Sequence, residues 1–126
     1  MAEEGVFLTS TLVMYAEMAS PKWPGFLPPE SASKNDEALH AGINSLKIAP
    51  DAGVTICFGT DLLGPSRAAQ TKKFSIRSQI LSPKALLQTA TISPSRMLRL
   101  EESLGQVKPG FIADLLILNG YPIENN

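Results

Sequence analysis

The chain begins with an apolar and β-branched stretch over residues 5–13, in which serine and threonine are interleaved. This pattern predicts a strand, and helix-forming residues follow over 14–18. A second apolar run over 54–58 is continuous, which is typical of a strand covered by helices on both faces of a parallel sheet. A helix predicted between the two strands completes a βαβ unit, so the pattern predicts an α/β fold.

The helix predicted between the strands covers residues 34–48. Its buried face is an i, i+4, i+7 stripe formed by Leu39, Ile43 and Leu46. Ser33 is the predicted N-cap, and Pro50 and Gly53 are predicted to end the helix. Residues 20–33 hold four of the ten prolines and therefore predict an irregular loop.

The second half of the chain predicts mostly helices. Two serine–proline pairs each place a capping hydroxyl before a proline at the first helical position, namely Ser82-Pro83 and Ser93-Pro94. The predicted elements are helices over 71–79, 83–90 and 94–100, followed by a buried strand over 113–118.

The composition narrows the class of protein. With 126 residues, 44% of them apolar and 18% charged, the chain is typical of a globular protein rather than a disordered one. The net charge of −1, without any basic block, argues against a nucleic-acid or membrane-surface partner. The longest apolar stretch, residues 5–19, is shorter than the ~20 residues that span a bilayer, and Glu3 and Glu4 stand where a signal peptide is basic. A cytoplasmic protein is predicted.

Two side chains near the end of the second predicted strand are candidates for chemistry. Cys57 is the single cysteine, and its place in an apolar run favours a buried hydrophobe over a reactive thiol. Asp61 follows in the sequence Gly59-Thr60-Asp61, where βα folds carry catalytic groups. A carboxylate there can bind a divalent metal or accept a proton, but the same residues also form good turns.

Three stretches of the chain form an ordered series of motifs, "AEEGVFLTSTLVMY", "DAGVTICFGTD" and "SPKALLQTATISPSRMLRLEESLGQVKPGFIADLLILNGYPIENN". The series resembles the carboxyl-terminal third of the metal-dependent amidohydrolases, most of all their imidazolonepropionase-like and prolidase-like branch, and its first stretch looks like the penultimate barrel strand. The resemblance implies that residues 1–103 form the last two βα units of a (β/α)8 barrel and that residues 104–126 return to a composite β-sandwich domain. In that family the last barrel strand ends in an aspartate that binds the metal and shuttles protons, which matches Asp61.

The resemblance also implies a limit on activity. The family's His-x-His pair, its carboxylated lysine or carboxylate and its two further histidines have no counterpart here. His40, the single histidine, falls on a polar helix face and cannot replace them. The resemblance implies a divalent metal, zinc above all, in the full-length parent. Because a catalytic zinc needs about three protein ligands, the chain alone is expected to bind none stably and to lack hydrolase activity.

The loop after Asp61 supplies candidates for substrate binding, because the resemblance places it beside the substrate pocket. Gln70 can hydrogen-bond an amide or carboxylate, and Arg67 can pair with an acid group, although both also suit a plain surface. Leu62 and Leu63 are predicted either to line an apolar pocket or to seal the barrel mouth. Thr60 is predicted to hydrogen-bond to backbone groups or to lie near the metal position. Lys72 and Lys73 are predicted to be solvated.

Two functions remain open at this point. The first is a carboxyl-terminal fragment of a metal-dependent hydrolase that acts on carbon–nitrogen bonds, amide or cyclic amidine, in a small-molecule substrate. The second is a non-catalytic domain that completes a barrel with a partner chain or serves as a binding module. The open edges and uncovered apolar faces of an incomplete barrel predict self-association of the isolated chain.

Overall fold

Within residues 1–123, which are those the computed structural model describes, two strands are combined with five α-helices. The elements in chain order are β1 (Phe7–Ser10), α1 (Leu12–Met18), α2 (Ala32–Asp51), β2 (Thr55–Phe58), α3 (Lys72–Ser78), α4 (Pro83–Ala90) and α5 (Ile92–Met97). Single 3-10 segments precede α2 and α3, over Pro29–Ser31 and Gly64–Ala69. None of the helices in this part of the chain is long and apolar enough to cross a membrane.

The two strands pair in parallel, as the βαβ prediction required. Their register runs from Phe7 opposite Thr55 to Ser10 opposite Phe58. The carboxyl ends of both strands therefore lie at the same end of the sheet, and the segments that follow them are neighbours in space. Two strands alone are marginal in water, so the helices must supply most of the stability.

The main core lies between the sheet and α2. Its buried members are Leu12, Leu46, Ala49, Val54 and Ile56, with Leu8, Leu39, Ile43, Ile76 and Ile80 packed against them. The predicted stripe on α2 is thus confirmed. A Cβ atom at Gly42 would overlap the side chain of Leu12, so this glycine permits the close contact of α1 with α2.

Helix α2 is longer at both ends than predicted. It begins at Ala32, with Ser31 rather than Ser33 at the N-cap and without a side-chain capping bond. Pro50 lies inside the last turn instead of ending the helix, where its missing N–H removes one hydrogen bond. The chain leaves the helix at Gly53, which has φ +73°, a left-handed conformation that glycine adopts without steric cost.

Other boundaries also differ from the prediction. The first strand is shorter than 5–13, because Leu12 and Val13 turn into α1 and are buried there. Ser82 caps α4 as expected, since its Oγ accepts a hydrogen bond from the Ala85 N–H at 3.3 Å. The predicted N-cap at Ser93 is wrong, because α5 already begins at Ile92. The helix can include Pro94 because a proline in the first turn removes no intrahelical hydrogen bond.

The buried strand predicted over 113–118 is wrong for the structure described. The segment has no regular secondary structure and belongs to no strand, and its apolar side chains are exposed, with Leu116 at 89% and Ile117 at 99%. A strand needs a neighbour for its backbone groups, and the described sheet consists of β1 and β2 alone. Residues 124–126 of the predicted 104–126 segment lie outside the described residues.

A buried carboxylate joins α1 to α3. Glu17 is 4% exposed; its Oε1 accepts a bond from Lys72 Nζ at 2.5 Å, and its Oε2 accepts one from Trp23 Nε1 at 3.4 Å. The Lys72 hydrogen bond lowers the pKa of Glu17 below its ordinary 4.5, against the opposing effect of burial, and the Trp23 bond adds to the lowering. Lys72 is half exposed, so its predicted solvation is only partly right.

The expectation that Lys73 is solvated is wrong, because Lys73 and Arg77 are both fully buried. Lys73 Nζ donates to the Ser10 carbonyl oxygen and lies 4.8 Å from the centre of the Phe58 ring. Arg77 Nη2 donates to the same carbonyl at 3.1 Å and to the Cys57 carbonyl at 2.9 Å. These bonds attach α3 to the carboxyl ends of both strands.

Burial shifts the ionisation of this cluster. It lowers the pKa of Lys73 to about 7, and the nearby charge of Arg77 acts in the same direction. Burial likewise lowers the pKa of Arg77 to about 10. Within residues 1–123 neither cation has a carboxylate at salt-bridge distance, so carbonyl and hydroxyl oxygens supply their polar contacts. The thiol of Cys57 is buried as predicted, and burial raises its pKa.

Glu17→Gln is predicted to change how stability responds to acid. Because the folded-state pKa of Glu17 is lowered, its contribution is present above the ordinary pKa and is lost as the pH falls through the folded value. Urea unfolding between pH 6 and pH 3 should therefore show a weaker decline in Glu17→Gln than in the wild type. Glu37→Gln, on the exposed face of α2, is the control and should decline as the wild type does. A decline in Glu17→Gln as steep as that of the wild type would contradict the prediction.

Lys73→Met is predicted to stabilise the chain at neutral pH and to alter its alkaline behaviour. Between pH 7 and 10.5 the unfolded chain binds a proton at Lys73 that the folded chain has lost, so the free energy of unfolding rises with pH there. Methionine removes this rise and the cost of burying the ammonium, while the Ser10 carbonyl keeps its bond from Arg77. The measurement is urea unfolding at pH 6, 8 and 10.

The control for that series is Lys47→Met, at an exposed position of α2. It should leave the slope of stability against pH as in the wild type across the same range. A loss of stability in Lys73→Met at every pH would show that the hydrogen bond and ring contact of Lys73 outweigh the cost of its burial.

Candidate functional site

Asp61 is the carboxylate nearest in sequence to the carboxyl end of β2, three residues beyond Phe58. It is exposed and has φ +56°, a left-handed conformation that aspartate tolerates better than most residues. The chain thus turns sharply at Asp61, which leaves the side chain in solvent at the edge where both strands end. This position is that of catalytic groups in βα folds.

Within residues 1–123 the other predicted site residues form no hydrogen bond or ion pair with Asp61. Arg67 lies on the 3-10 segment Gly64–Ala69 and Gln70 directly follows it, and both side chains are exposed. Thr60 is half-buried. In the part of the chain that the structure describes, the ion pair is that of Lys72 with Glu17, so Arg67 and Asp61 do not form one.

The two leucines after Asp61 have separate environments. Leu62 is buried in a small cluster with Val13 and Ala69 and holds this loop against α1. Leu63 is 76% exposed and contributes to an open cavity of about 230 Å³. The apolar groove, as we call this cavity, is lined mainly by Met14, Met18, Trp23, Phe26, Leu63 and Pro65.

Two polar side chains also reach the apolar groove, and both already have partners. Glu17 accepts bonds from Lys72 and Trp23, and the Ser66 hydroxyl donates to the Leu63 carbonyl oxygen at 2.6 Å. The groove therefore combines an apolar lining with polar groups that are already hydrogen-bonded within the chain. Small-molecule sites are commonly concave and mostly apolar in this way.

Lys73 and Arg77 lie at the same strand ends and were missed from the sequence. Together with Ile76 and Ile80 they form an i, i+3, i+4, i+7 stripe on and just beyond α3, which is the pattern of a buried helix face. The spacing of these four residues could have predicted that this face of α3 is buried. Two of the four residues are charged, however, and charge in the sequence favours an exposed face. Their role is to position the strand ends, since their donors are used on main-chain and hydroxyl oxygens.

The residues described do not by themselves fit a metal centre. Over residues 1–123, no group of three or more histidine, cysteine, aspartate or glutamate side chains is placed to hold a metal ion. His40 is exposed on α2, as expected, with Nδ1 2.8 Å from the carbonyl oxygen of Asp36. Asp61 offers one carboxylate, whereas a catalytic zinc needs about three protein ligands.

Comparison with solved structures gives consistent matches over nearly the whole chain. A crystal structure of an amidohydrolase is 39% identical, with a TM-score of 0.87 over 97% of this chain and 30% of its own. A prolidase complexed with N-methylphosphonate-L-proline is 37% identical, with a TM-score of 0.86 over 98% of this chain and 30% of its own. A Xaa-Pro dipeptidase with methionine bound in its active site is 28% identical, with a TM-score of 0.81 over 99% of this chain and 31% of its own.

The chain thus spans about 30% of the length of the solved structures that it matches. Its α/β architecture, with a small parallel sheet, corresponds to part of an amidohydrolase fold. A comparison with curated protein sequences gives no match. The model of the amidohydrolase family matches residues 1–126, and the chain therefore belongs to the amidohydrolase family.

Proposed function

We propose that the chain supplies the last two βα units of a (β/α)8 barrel in a metal-dependent hydrolase that acts on carbon–nitrogen bonds. The observation that carries the proposal is the place of Asp61, an exposed carboxylate at the carboxyl end of β2 in a chain that matches the family throughout. The prolidase and the Xaa-Pro dipeptidase among its structural relatives favour a small amide as the substrate.

Asp61 is proposed as both a metal ligand and a proton acceptor. Its carboxylate is accessible, and a carboxylate next to a reacting centre can do general-base chemistry. The metal, zinc by preference, would need further ligands from another segment or chain, because residues 1–123 offer no cluster for it. Arg67 and Gln70 are proposed to contact the substrate, from the exposed loop that follows Asp61.

The division of the chain into residues 1–103 of the barrel and 104–126 of a β-sandwich domain is part of the proposal. Its support is the segment 113–118, which belongs to neither described strand and whose large apolar side chains are exposed. An unpaired apolar segment of this kind is suited to pairing with a sheet. The hydrolase-type function would then depend on structure beyond that of the two βα units.

A second candidate function, an association module that completes a barrel with a partner chain, rests on the same exposed surfaces. Each strand has one neighbour in the described sheet, so each has an open edge. Leu115, Leu116 and Ile117 are 57%, 89% and 99% exposed, which is unusual for consecutive large apolar side chains. Self-association of the isolated chain is proposed to use these edges.

Asp61→Asn is predicted to remove catalysis in a reconstituted enzyme. The chain is co-produced with the remaining part of the matching amidohydrolase, supplied with zinc, and assayed on a Xaa-Pro dipeptide such as Leu-Pro. Loss of the carboxylate should lower kcat by about 10²- to 10⁴-fold, as for a general base, and should lower the zinc content. Asparagine is chosen because it also tolerates the left-handed backbone at this position.

The matched control is Asp36→Asn, which changes an exposed carboxylate of α2. It should leave kcat and the zinc content within a factor of two of the wild type. Full activity in Asp61→Asn would contradict the catalytic role, and hydrolysis by the unaccompanied chain would contradict the need for further ligands.

Leu116→Lys combined with Ile117→Lys is predicted to weaken self-association. The two charges stand at the most exposed positions of the segment 113–118, where pairing with another copy would bury them at a large cost. Sedimentation velocity over a concentration series should show larger species for the wild type and a shift to monomer for the double variant. Ile48→Lys, at an exposed position of α2, should not cause that shift, and a wild type that is monomeric throughout would exclude the association.

A further inference from the structure

The apolar groove is built from the segments that follow the two strands. Met14 and Met18 come from α1, which begins just after β1, and Leu63 and Pro65 come from the loop after β2. Trp23 completes the lining, and its indole N–H is held by Glu17. In parallel βα folds the segments after the strands form the substrate-binding end, so the groove lies at that end of the sheet.

The groove is also close to Asp61. Leu63 is two residues beyond Asp61, and consecutive Cα atoms lie about 3.8 Å apart, so the two Cα atoms are within about 7.6 Å. A small substrate whose reacting bond lies beside the Asp61 carboxylate would therefore have one side chain within reach of Leu63.

The size and chemistry of the groove select the kind of group that it can hold. Its volume of about 230 Å³ exceeds the ~150 Å³ of an engineered cavity that binds benzene and is below the ~300–1,000 Å³ of sites for drug-sized ligands. The space suits a single large side chain. Because Glu17 and Ser66 already have partners within the chain, the groove favours an apolar group over a polar one, which would find few free hydrogen-bonding groups in its lining.

We propose that the apolar groove is a specificity pocket that binds an apolar side chain of the substrate, of the size of methionine, leucine or phenylalanine. This inference rests on the proposed function, since it names the class of amide that the site accepts. The Xaa-Pro dipeptidase that resembles this chain has methionine bound in its active site, which agrees with a preference of this kind. Trp23 and Phe26 provide the aromatic walls, and Leu63 links the pocket to the loop of Asp61.

The experiment measures binding to the chain itself, in the presence of a metal chelator and without any assay of hydrolysis. Trp23 is the single tryptophan of the chain, so its fluorescence reports on the groove directly. The probes are N-acetyl-L-methioninamide and N-acetylglycinamide, which share a backbone and differ in the side chain. We expect saturable binding of the methionine probe, with a dissociation constant at least tenfold lower than that of the glycine probe, as for other apolar pockets.

Two variants test whether the signal arises in the groove. Leu63→Ser and Phe26→Ser change side chains that are 76% and 56% exposed, so both variants should fold, which circular dichroism and thermal melts will verify. Each should raise the dissociation constant of the methionine probe at least fivefold. Leu116→Ser, at an 89% exposed position outside the groove, is the matched control and should bind as the wild type does.

Equal constants for the two probes, or a constant that neither groove variant changes, would overturn the inference. Binding that Leu116→Ser weakens as much as Leu63→Ser would overturn it too, because the probe would then occupy the exposed segment 113–118. Since the titration needs neither metal nor turnover, a failure of the reconstituted enzyme would leave its result intact, and a failure of the titration would leave the proposed role of Asp61 open to its own assay.

Discussion

Arg77 lies beneath the carboxyl ends of both strands and donates hydrogen bonds to the carbonyl oxygens of Ser10 and Cys57. Those bonds come from Nη2, while Nη1 donates to the Thr89 hydroxyl, so one buried side chain links the sheet to α3 and α4. A guanidinium can do this because its donors form a planar fork and remain charged when buried. Asp61 follows Cys57 by four residues, so this link helps to fix where its turn begins.

The arrangement has an electrostatic cost that the described residues do not remove. Lys73 and Arg77 are adjacent buried cations, and their oxygen partners are neutral. Burial of a lone charge is tolerated when hydrogen bonds are complete or when the group loses its proton, and the lowered pKa of Lys73 is a response of that kind. Arg77 Nε has no partner within residues 1–123, so the cluster is held in place by its remaining bonds and by packing on Phe58.

The site that results has two parts with different chemistry. Asp61 supplies an accessible carboxylate at the strand ends, and the apolar groove supplies shape without free polar groups. Neither part is a complete active site, because a metal-dependent hydrolase needs more ligands than the described residues contain. The groove can nevertheless be studied on its own, since binding an apolar group depends on local packing rather than on the metal.

The sequence by itself determined the features that depend on local pattern. The stripe of Leu39, Ile43 and Leu46, the continuous run of β2 and the Ser82 cap each follow from the spacing of neighbouring residues, and the structure confirms them. The motifs around Asp61 also pointed to the amidohydrolase family, which the family match confirms. The tertiary structure alone decided that Lys73 is buried, that Leu62 is buried whereas Leu63 is exposed, and that residues 113–118 pair with no strand. Those outcomes depend on which groups meet from distant parts of the chain, and neither side-chain type nor periodicity contains that information.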